Sequence, residues 1–166
     1  LAVPVAAVTS PLFAAIKNFG LLDRHLGVMI PLVAFNAPMM LLMIKNYFDT
    51  IPDELLESAR IDGASSFCIW LEFMVPLSGP IIANVLVLTF IYSWNDYLVP
   101  LLVMRSEENY TVTLAAQYFV SSTYQSPADV ARIYAVMMLL TLPSIIVYLF
   151  SQKFLVGGIT SGSVKG

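Results

Sequence analysis

Polar residues that could act on a solute interrupt one of the most apolar stretches of the chain, residues 77–103. They are Asn84, Asn95 and Asp96. An ionisable group at membrane depth costs roughly 2.5–3.5 kcal/mol, so it usually faces a cavity or a partner. One interpretation therefore places all three along a hydrophilic path through a membrane. The other places Asp96 at the outer interface, solvated and flanked by Trp94 and Tyr97 as interfacial anchors. The second is favoured for Asp96, and both stay open for the two amides.

Catalytic chemistry has little support in the residue pattern. Asp96 and Asp129 could serve as paired carboxylates of a membrane-embedded enzyme, but no recognisable spacing joins them. The sequence has no G-x-x-x-x-G-K-[ST] phosphate loop, no G-x-S-x-G elbow and no H-E-x-x-H pair. Cys68 is the single cysteine, which excludes an internal disulfide. We therefore expect no catalytic residue, metal site or cofactor, and energy for any pumping must come from another subunit.

The composition is that of a membrane protein. Of 166 residues, 58% are hydrophobic and 11% charged, whereas soluble domains carry about 25% charged residues. Mean hydropathy is +0.81. The net charge of −3 gives no basic field for nucleic acid. The chain is thus expected to contact membrane lipid and not nucleic acid.

Four apolar segments could form membrane spans, since a helix needs about 20 apolar residues to cross the hydrocarbon core. The segments cover residues 1–16, 28–44, 77–103 and 131–150. Polar connectors at 17–27, 45–72 and 105–129, and a Gly-rich tail at 152–166, separate and follow them. This pattern predicts an all-α, polytopic membrane helix bundle with about four spanning helices.

The most charged connector contains a helix–Gly–helix pattern. Thr50 is predicted to cap a first helix that runs to about Ile61, with Asp53 as its capping-box partner. Asp62-Gly63 predicts the end of that helix, because glycine readily takes the left-handed backbone that closes one.

A second helix should follow at once. Ser65 or Ser66 can cap it, and Pro76 is predicted to end it. Four apolar residues recur at i, i+3, i+4 and i+7, which gives the helix one apolar face; they are Phe67, Trp70, Leu71 and Met74. A charged helix pair between membrane spans indicates a surface presented to a partner outside the bilayer.

This pattern resembles the "EAA" loop of ABC-importer permeases. The resemblance rests on Glu57-Ser58-Ala59, then Gly63, then Phe73-Met74-Val75-Pro76, with Ser58 in place of the first alanine of the triplet. Further motifs resemble the MalG-like permeases of sugar importers over nearly the whole chain; they are Asp62-Gly63-Ala64-Ser65, Pro76-Leu77-Ser78-Gly79-Pro80, Ser93-Trp94-Asn95-Asp96 and the ending from Gly158 to Gly166.

The resemblance implies a function for the whole chain. Residues 1–166 would form an ABC transmembrane type-1 domain that lacks the first two of six spans, and residues 45–76 would form a cytoplasmic coupling loop. The partners would be ATP-binding cassette ATPases, a second permease subunit and an extracytoplasmic solute-binding protein, in the cell membrane of a prokaryote. The coupling residues would be Glu57, Ser58, Ala59, Asp62, Gly63, Ala64 and Pro76, while the polar residues of the third span would line a path for sugar.

Charge alone does not orient the bundle. Each side of the membrane would carry four basic residues. One side would carry Lys45, Arg60, Lys153 and Lys165, and the other would carry Lys17, Arg24, Arg105 and Arg132. The resemblance places the coupling loop and the tail in the cytoplasm. The competing hypotheses are the membrane-embedded enzyme and a secondary transporter or channel that needs no ATPase.

Overall fold

The computed structural model describes residues 4–123 and 129–160, and all regular elements within these ranges are helical. The predicted all-α class is confirmed. Two short 3-10 turns cover Val5–Val8 and Glu107–Asn109. The helices are α1 (Thr9–Asn18), α2 (His25–Phe48), α3 (Asp53–Ile61), α4 (Ser66–Leu77), α5 (Gly79–Asn95), α6 (Leu98–Val103), α7 (Val112–Thr123) and α8 (Asp129–Thr160).

Two of the described helices are long and apolar enough to cross a membrane. They are α2, over 24 residues, and the Asp129–Gln152 part of α8. A third span is possible if α4 and α5, which meet at a bend of 62°, count together as one broken span. The structure thus gives two to three candidates where four were predicted. The predicted first span appears as a 3-10 turn and the ten-residue α1; residues 1–3 lie outside the described ranges.

The predicted third span, residues 77–103, is not one continuous helix. It is divided into α5 and α6 by a break at Asp96 and Tyr97. Pro100 has no N–H to donate to the carbonyl oxygen of Asp96, so helical hydrogen bonding cannot run through this point. The Asp96 carboxylate instead accepts the Val99 N–H at 3.3 Å and starts the new helix.

The last helix is longer than predicted. The sequence analysis ends the fourth span at Phe150 and places a polar tail from Gln152, but α8 continues to Thr160. Pro143 lies within it, and no proline follows to stop the helix. Residues 161–166 of the expected tail lie beyond the described ranges.

The chain divides into two compact units. Unit one comprises Leu1–Pro38 and Thr89–Val147, and unit two comprises Met39–Leu88 and Tyr148–Gly166. The core of unit one is apolar and draws on α1, α2, α6 and α7; its buried members are Ile16, Val28, Val99, Val103, Met104 and Leu114. Gly27 allows α2 to approach this core closely, because a Cβ there would lie 2.2 Å from the Leu21 carbonyl oxygen.

Two connectors of unit one are joined by Asp23. Its carboxylate accepts hydrogen bonds from the Arg105 N–H at 2.9 Å and from the N–H and hydroxyl of Ser106. The Asn109 amide donates to the Asp23 carbonyl oxygen at 3.0 Å. These bonds, led by that from the Ser106 hydroxyl, hold the pKa of the Asp23 carboxyl well below its usual range. The sequence analysis missed this contact, since more than 80 residues separate the partners.

Candidate functional site

The glycine-centred join between α3 and α4 is a complete helix-terminating motif. Gly63 has φ +85°, the left-handed backbone predicted for it. Its N–H donates to the Arg60 carbonyl oxygen, and the Ala64 N–H donates to that of Ala59, both at 3.0 Å. This is the Schellman arrangement, with Asp62 as the residue that ends α3. A non-glycine residue at position 63 would strain this turn by about 1 kcal/mol.

The predicted start of α3 is wrong in detail. α3 begins at Asp53 behind Pro52, with no side-chain capping bond. The Thr50 hydroxyl instead donates to the Tyr47 carbonyl oxygen at 2.7 Å. Thr50 therefore belongs to the end of α2, where its backbone N–H also donates to the Tyr47 carbonyl oxygen, at 3.0 Å.

The start of α4 follows the prediction, and its end does not. The Ser65 hydroxyl accepts the Cys68 N–H at 3.2 Å, so Ser65 is the cap. Pro76 does not end the helix, which runs on to Leu77. A turn of π-helix at Trp70–Met74, closed by the Val75 N–H on the Trp70 carbonyl oxygen, changes the hydrogen-bond register just before the proline.

The predicted coupling residues differ in their exposure to solvent. Glu57, Ser58, Asp62, Gly63 and Pro76 are exposed. Ala59 is buried, at 5% exposure, and Ala64 is half-buried. The burial of Ala59 leaves little room for a larger side chain, while the neighbouring charges face outward.

An apolar surface lies beside those charges. Ile61 is 85% exposed, Phe67 69%, Trp70 53% and Leu71 49%. The rings of Phe67 and Trp70 lie 5.8 Å apart between centroids. We call this set, together with Glu57, Ser58 and Asp62, the docking surface. Exposed apolar residues that are grouped and bordered by polar ones mark sites of contact with another protein or with a membrane.

Two of the three predicted path residues share a cavity in unit one. Asn95 and Asp96 line a cavity of about 310 Å³. Asn36 of α2 and Tyr92 of α5 line it as well, and the sequence analysis did not assign either to a path. Asn36 could have been predicted in the same way as Asn84, because each is an amide side chain within an apolar segment. The remaining lining residues are Leu32, Phe35, Ile91 and Val99.

Asn84 lies elsewhere, in unit two, and is not among the residues that line this cavity. It is buried, at 6% exposure, and its Oδ1 has no hydrogen-bond partner among the described residues. A buried acceptor without a partner is costly.

The aromatic residues proposed as interfacial anchors take different positions. Trp94 donates its indole N–H to the Leu140 carbonyl oxygen at 3.1 Å and stacks on Phe90 at 5.5 Å. It therefore ties α5 to α8 inside unit one. Tyr97 is 37% exposed, at the break between α5 and α6.

Comparison with known proteins gives consistent matches. The family described as "Binding-protein-dependent transport system inner membrane component" matches residues 1–160. The chain is 34% identical over 157 residues to the inner membrane ABC transporter permease protein YcjP of Escherichia coli (strain K12), covering 94% of this chain and 55% of that protein. It is 34% identical over 164 residues to the arabinooligosaccharides transport system permease protein AraQ of Bacillus subtilis (strain 168), covering 99% and 57%.

A third relative has similar coverage. The chain is 36% identical over 159 residues to the sn-glycerol-3-phosphate transport system permease protein UgpE of Yersinia pestis bv. Antiqua (strain Antiqua), covering 96% of the chain and 56% of that protein. The chain thus spans somewhat more than half the length of the curated relatives that it matches.

Proposed function

This chain belongs to the family of binding-protein-dependent transport system inner membrane components, and we propose that it is a membrane-spanning permease subunit of an ATP-driven importer for a sugar or oligosaccharide. In this proposal ATP is hydrolysed on separate cassette subunits. A second permease subunit completes the path, and an extracytoplasmic binding protein delivers the solute. The membrane is the inner membrane of a prokaryote.

The observation that carries the proposal is the docking surface. The α3–α4 join has a fixed geometry because the Schellman motif at Gly63 satisfies the terminal backbone groups of α3. The apolar side chains beside it are exposed, although their burial would be worth about 25 cal/mol per Å². An apolar and partly charged surface that lies outside the two single-helix candidate spans suits a groove on a soluble ATPase. Glu57 and Asp62 would pair with basic groups of that partner.

Transport of a carbohydrate is supported by the path residues and by the named relatives. AraQ is named for arabinooligosaccharides and UgpE for sn-glycerol-3-phosphate. Amide and carboxylate side chains such as Asn84, Asn95 and Asp96 match the hydroxyl groups of a neutral sugar. We propose these three as path residues.

The test uses substitutions that alter the docking surface and leave the membrane helices unchanged. Gly63→Val strains the join, and Glu57→Lys reverses an exposed charge. Both should leave the amount of membrane-inserted protein near normal while weakening co-purification of the ATPase and abolishing uptake. Gly79→Val is the matched control, because a Cβ at Gly79 meets nothing within 4 Å and its φ is not positive. Unchanged ATPase binding and uptake in both variants would reduce this element to a linker.

Orientation has its own test. The proposal places Ser58 in the cytoplasm and Ser122 outside. Single cysteines at these positions, in a Cys68→Ser background, should react with a membrane-impermeant reagent from opposite faces of the membrane. Labelling of both from outside intact cells would contradict the proposed topology.

The two competing hypotheses are less well supported. Asp129 forms an ion pair with Arg132 at 3.4 Å and does not line the cavity that holds Asp96, so nothing favours a catalytic carboxylate pair. A secondary transporter would leave the docking surface without a partner. Uptake that persists after the partner ATPase is inactivated would favour that class instead.

A further inference from the structure

The cavity in unit one combines polar groups from two helices. Asn36 comes from α2, while Tyr92, Asn95 and Asp96 come from the end of α5 and the break that follows it. Phe35 adds a second aromatic side chain. At about 310 Å³ the cavity has the volume of a small-molecule site. Its lining of apolar walls with a few convergent polar groups is the composition that such sites share.

The two amides are held in defined orientations. The Asn36 Nδ2 donates to the Leu32 carbonyl oxygen at 2.8 Å, and the Asn95 Nδ2 donates to that of Ile91 at 2.8 Å. Each amide therefore uses one N–H within its own helix and keeps a second N–H and an oxygen for a ligand. A hydroxyl group, which both donates and accepts, is complementary to such a pair.

The charge of the cavity has one sign. Asp96 is the only ionisable carboxylate among its lining residues, and that lining includes no Lys, Arg or His. One carboxylate oxygen accepts the Val99 N–H at 3.3 Å. A negative group beside apolar walls focuses a negative potential into the space it borders. An anion entering this cavity meets repulsion and finds no cation among the described lining residues to offset it.

We propose that this cavity selects solutes by charge, binding neutral polyhydroxylated solutes and excluding phosphorylated or otherwise anionic ones. Asn36 and Asn95 bind hydroxyl groups, and Asp96 rejects anions while accepting hydroxyl donors. Tyr92 and Phe35 supply aromatic faces for the apolar side of a sugar ring. The inference rests on the proposed function and deepens it, since it names residues that set which solutes pass.

Cysteine modification tests the charge selection without knowledge of the transported solute. The permease carries Cys68→Ser and Ile91→Cys, in its intact membrane complex, because Ile91 lines the cavity and its side chain has no part in the proposed recognition. Reaction rates are measured with a cationic and an anionic methanethiosulfonate reagent of similar size. The ratio of the cationic to the anionic rate should fall by about tenfold when Asp96→Asn is added, because the local field is lost. The amide can still accept the Val99 N–H, so the fold is kept.

Glu108→Gln is the matched control, because it removes an exposed carboxylate that belongs neither to this lining nor to the docking surface. It should leave the ratio unchanged. A ratio that is the same with and without Asp96→Asn would overturn the charge selection. An equal fall of the ratio with Glu108→Gln would also overturn it, because the effect would then not be local to the cavity.

Protection tests the hydroxyl recognition. A partial hydrolysate of starch and arabinan supplies neutral oligosaccharides, which should slow modification of the cysteine at position 91. Asn36→Leu should remove this protection, while Asn46→Leu, an exposed amide near the end of α2, should preserve it. Absence of protection in the parent, or protection that survives Asn36→Leu, would overturn the assignment. Neither measurement requires ATP hydrolysis or uptake, so failure of the proposed function would be seen separately, in the uptake and ATPase assays.

Discussion

The phenolic oxygen of Tyr47 lies 2.7 Å from the carbonyl oxygen of Leu77 and donates a hydrogen bond to it. Leu77 is the last residue of α4, at the point where the chain bends by 62° into α5. At this bend the Ser78 N–H donates back to Met74 and Val75, at 3.0 and 3.2 Å. Tyr47, near the end of α2, thus supplies a donor for a terminal carbonyl and fixes the end of α4 within unit two.

Loss of this hydroxyl should disturb coupling more than insertion. Tyr47→Phe keeps the ring and removes one hydrogen bond, worth about 1 kcal/mol. Membrane levels should stay near normal while ATPase co-purification and uptake both decrease. Tyr134→Phe, in a phenol that is 66% exposed, is the control and should change neither. Wild-type uptake in Tyr47→Phe would show that the bond does not position α4.

Gly27 is predicted to tolerate no side chain. In Gly27→Ala the new Cβ would lie 2.2 Å from the Leu21 carbonyl oxygen and 2.9 Å from Val103 Cγ1. Because the first of these atoms belongs to the backbone, the clash requires a main-chain shift, and the variant should lose about 1–3 kcal/mol of unfolding free energy. Thermal unfolding of the purified protein in detergent measures the loss. Gly79→Ala should be close to neutral, and an equal melting temperature for the two variants would contradict the packing described.

Asp23 gives the connector contact a pH dependence with a definite sign. Its folded-state pKa is lowered by the Ser106 hydroxyl first and then by the backbone N–H groups of Ser106 and Arg105. The pKa of an unfolded aspartate is about 3.9. The stabilisation is therefore complete above about pH 4, and it decreases as pH falls from there toward the lowered folded-state pKa.

Asp23→Asn should consequently reduce the unfolding temperature at pH 7 by an amount that shrinks at acidic pH. Melting curves of wild type and variant between about pH 3 and pH 7 provide the measurement. The difference should be constant from pH 5 to 7 and smaller at pH 3. Melting curves of Asp62→Asn, which removes an exposed carboxylate, provide the comparison. If the difference in melting temperature between wild type and Asp23→Asn were the same at every pH measured, the lowered pKa of Asp23 would be contradicted.

Trp94 should stabilise the fold through the hydrogen bond that its indole N–H donates. Trp94→Phe keeps an aromatic ring beside Phe90 but loses the hydrogen bond to the Leu140 carbonyl oxygen, which should lower the unfolding free energy by about 1 kcal/mol or more. Denaturant or thermal unfolding measures this loss. Trp70→Phe, at a residue that is 53% exposed, should have little effect on stability. Equal stability of Trp94→Phe and wild type would show that the bond contributes nothing.

Local chemistry explains what was predictable from the sequence. Gly63 was identifiable as a left-handed helix end because only glycine takes that backbone without strain, and Ser65 as a cap because its hydroxyl reaches a nearby N–H. The all-α class and the candidate span at α2 followed from hydropathy, since a bilayer requires helices whose backbone bonds are satisfied within the segment. Each of these depends on residues within one or two turns of each other.

Other features could not be predicted from local sequence. They depend on residues that are far apart in the chain, or on which of two nearby groups a side chain contacts. Thr50 could have capped α3, but its hydroxyl bonds back to the end of α2, and α3 begins behind Pro52 without a side-chain cap. Pro76 could have ended α4, but a π turn allowed the helix to continue. Asp96 lines a cavity together with Asn36, which lies sixty residues away in the sequence, and Asn84 does not line that cavity. Only the packing of the helices distinguishes these two predicted path residues. The sequence by itself determines which segments are apolar, where a helix can end and which family the motifs resemble. Which polar groups meet depends on how the helices pack, because that is a balance among many weak contacts that local sequence does not encode.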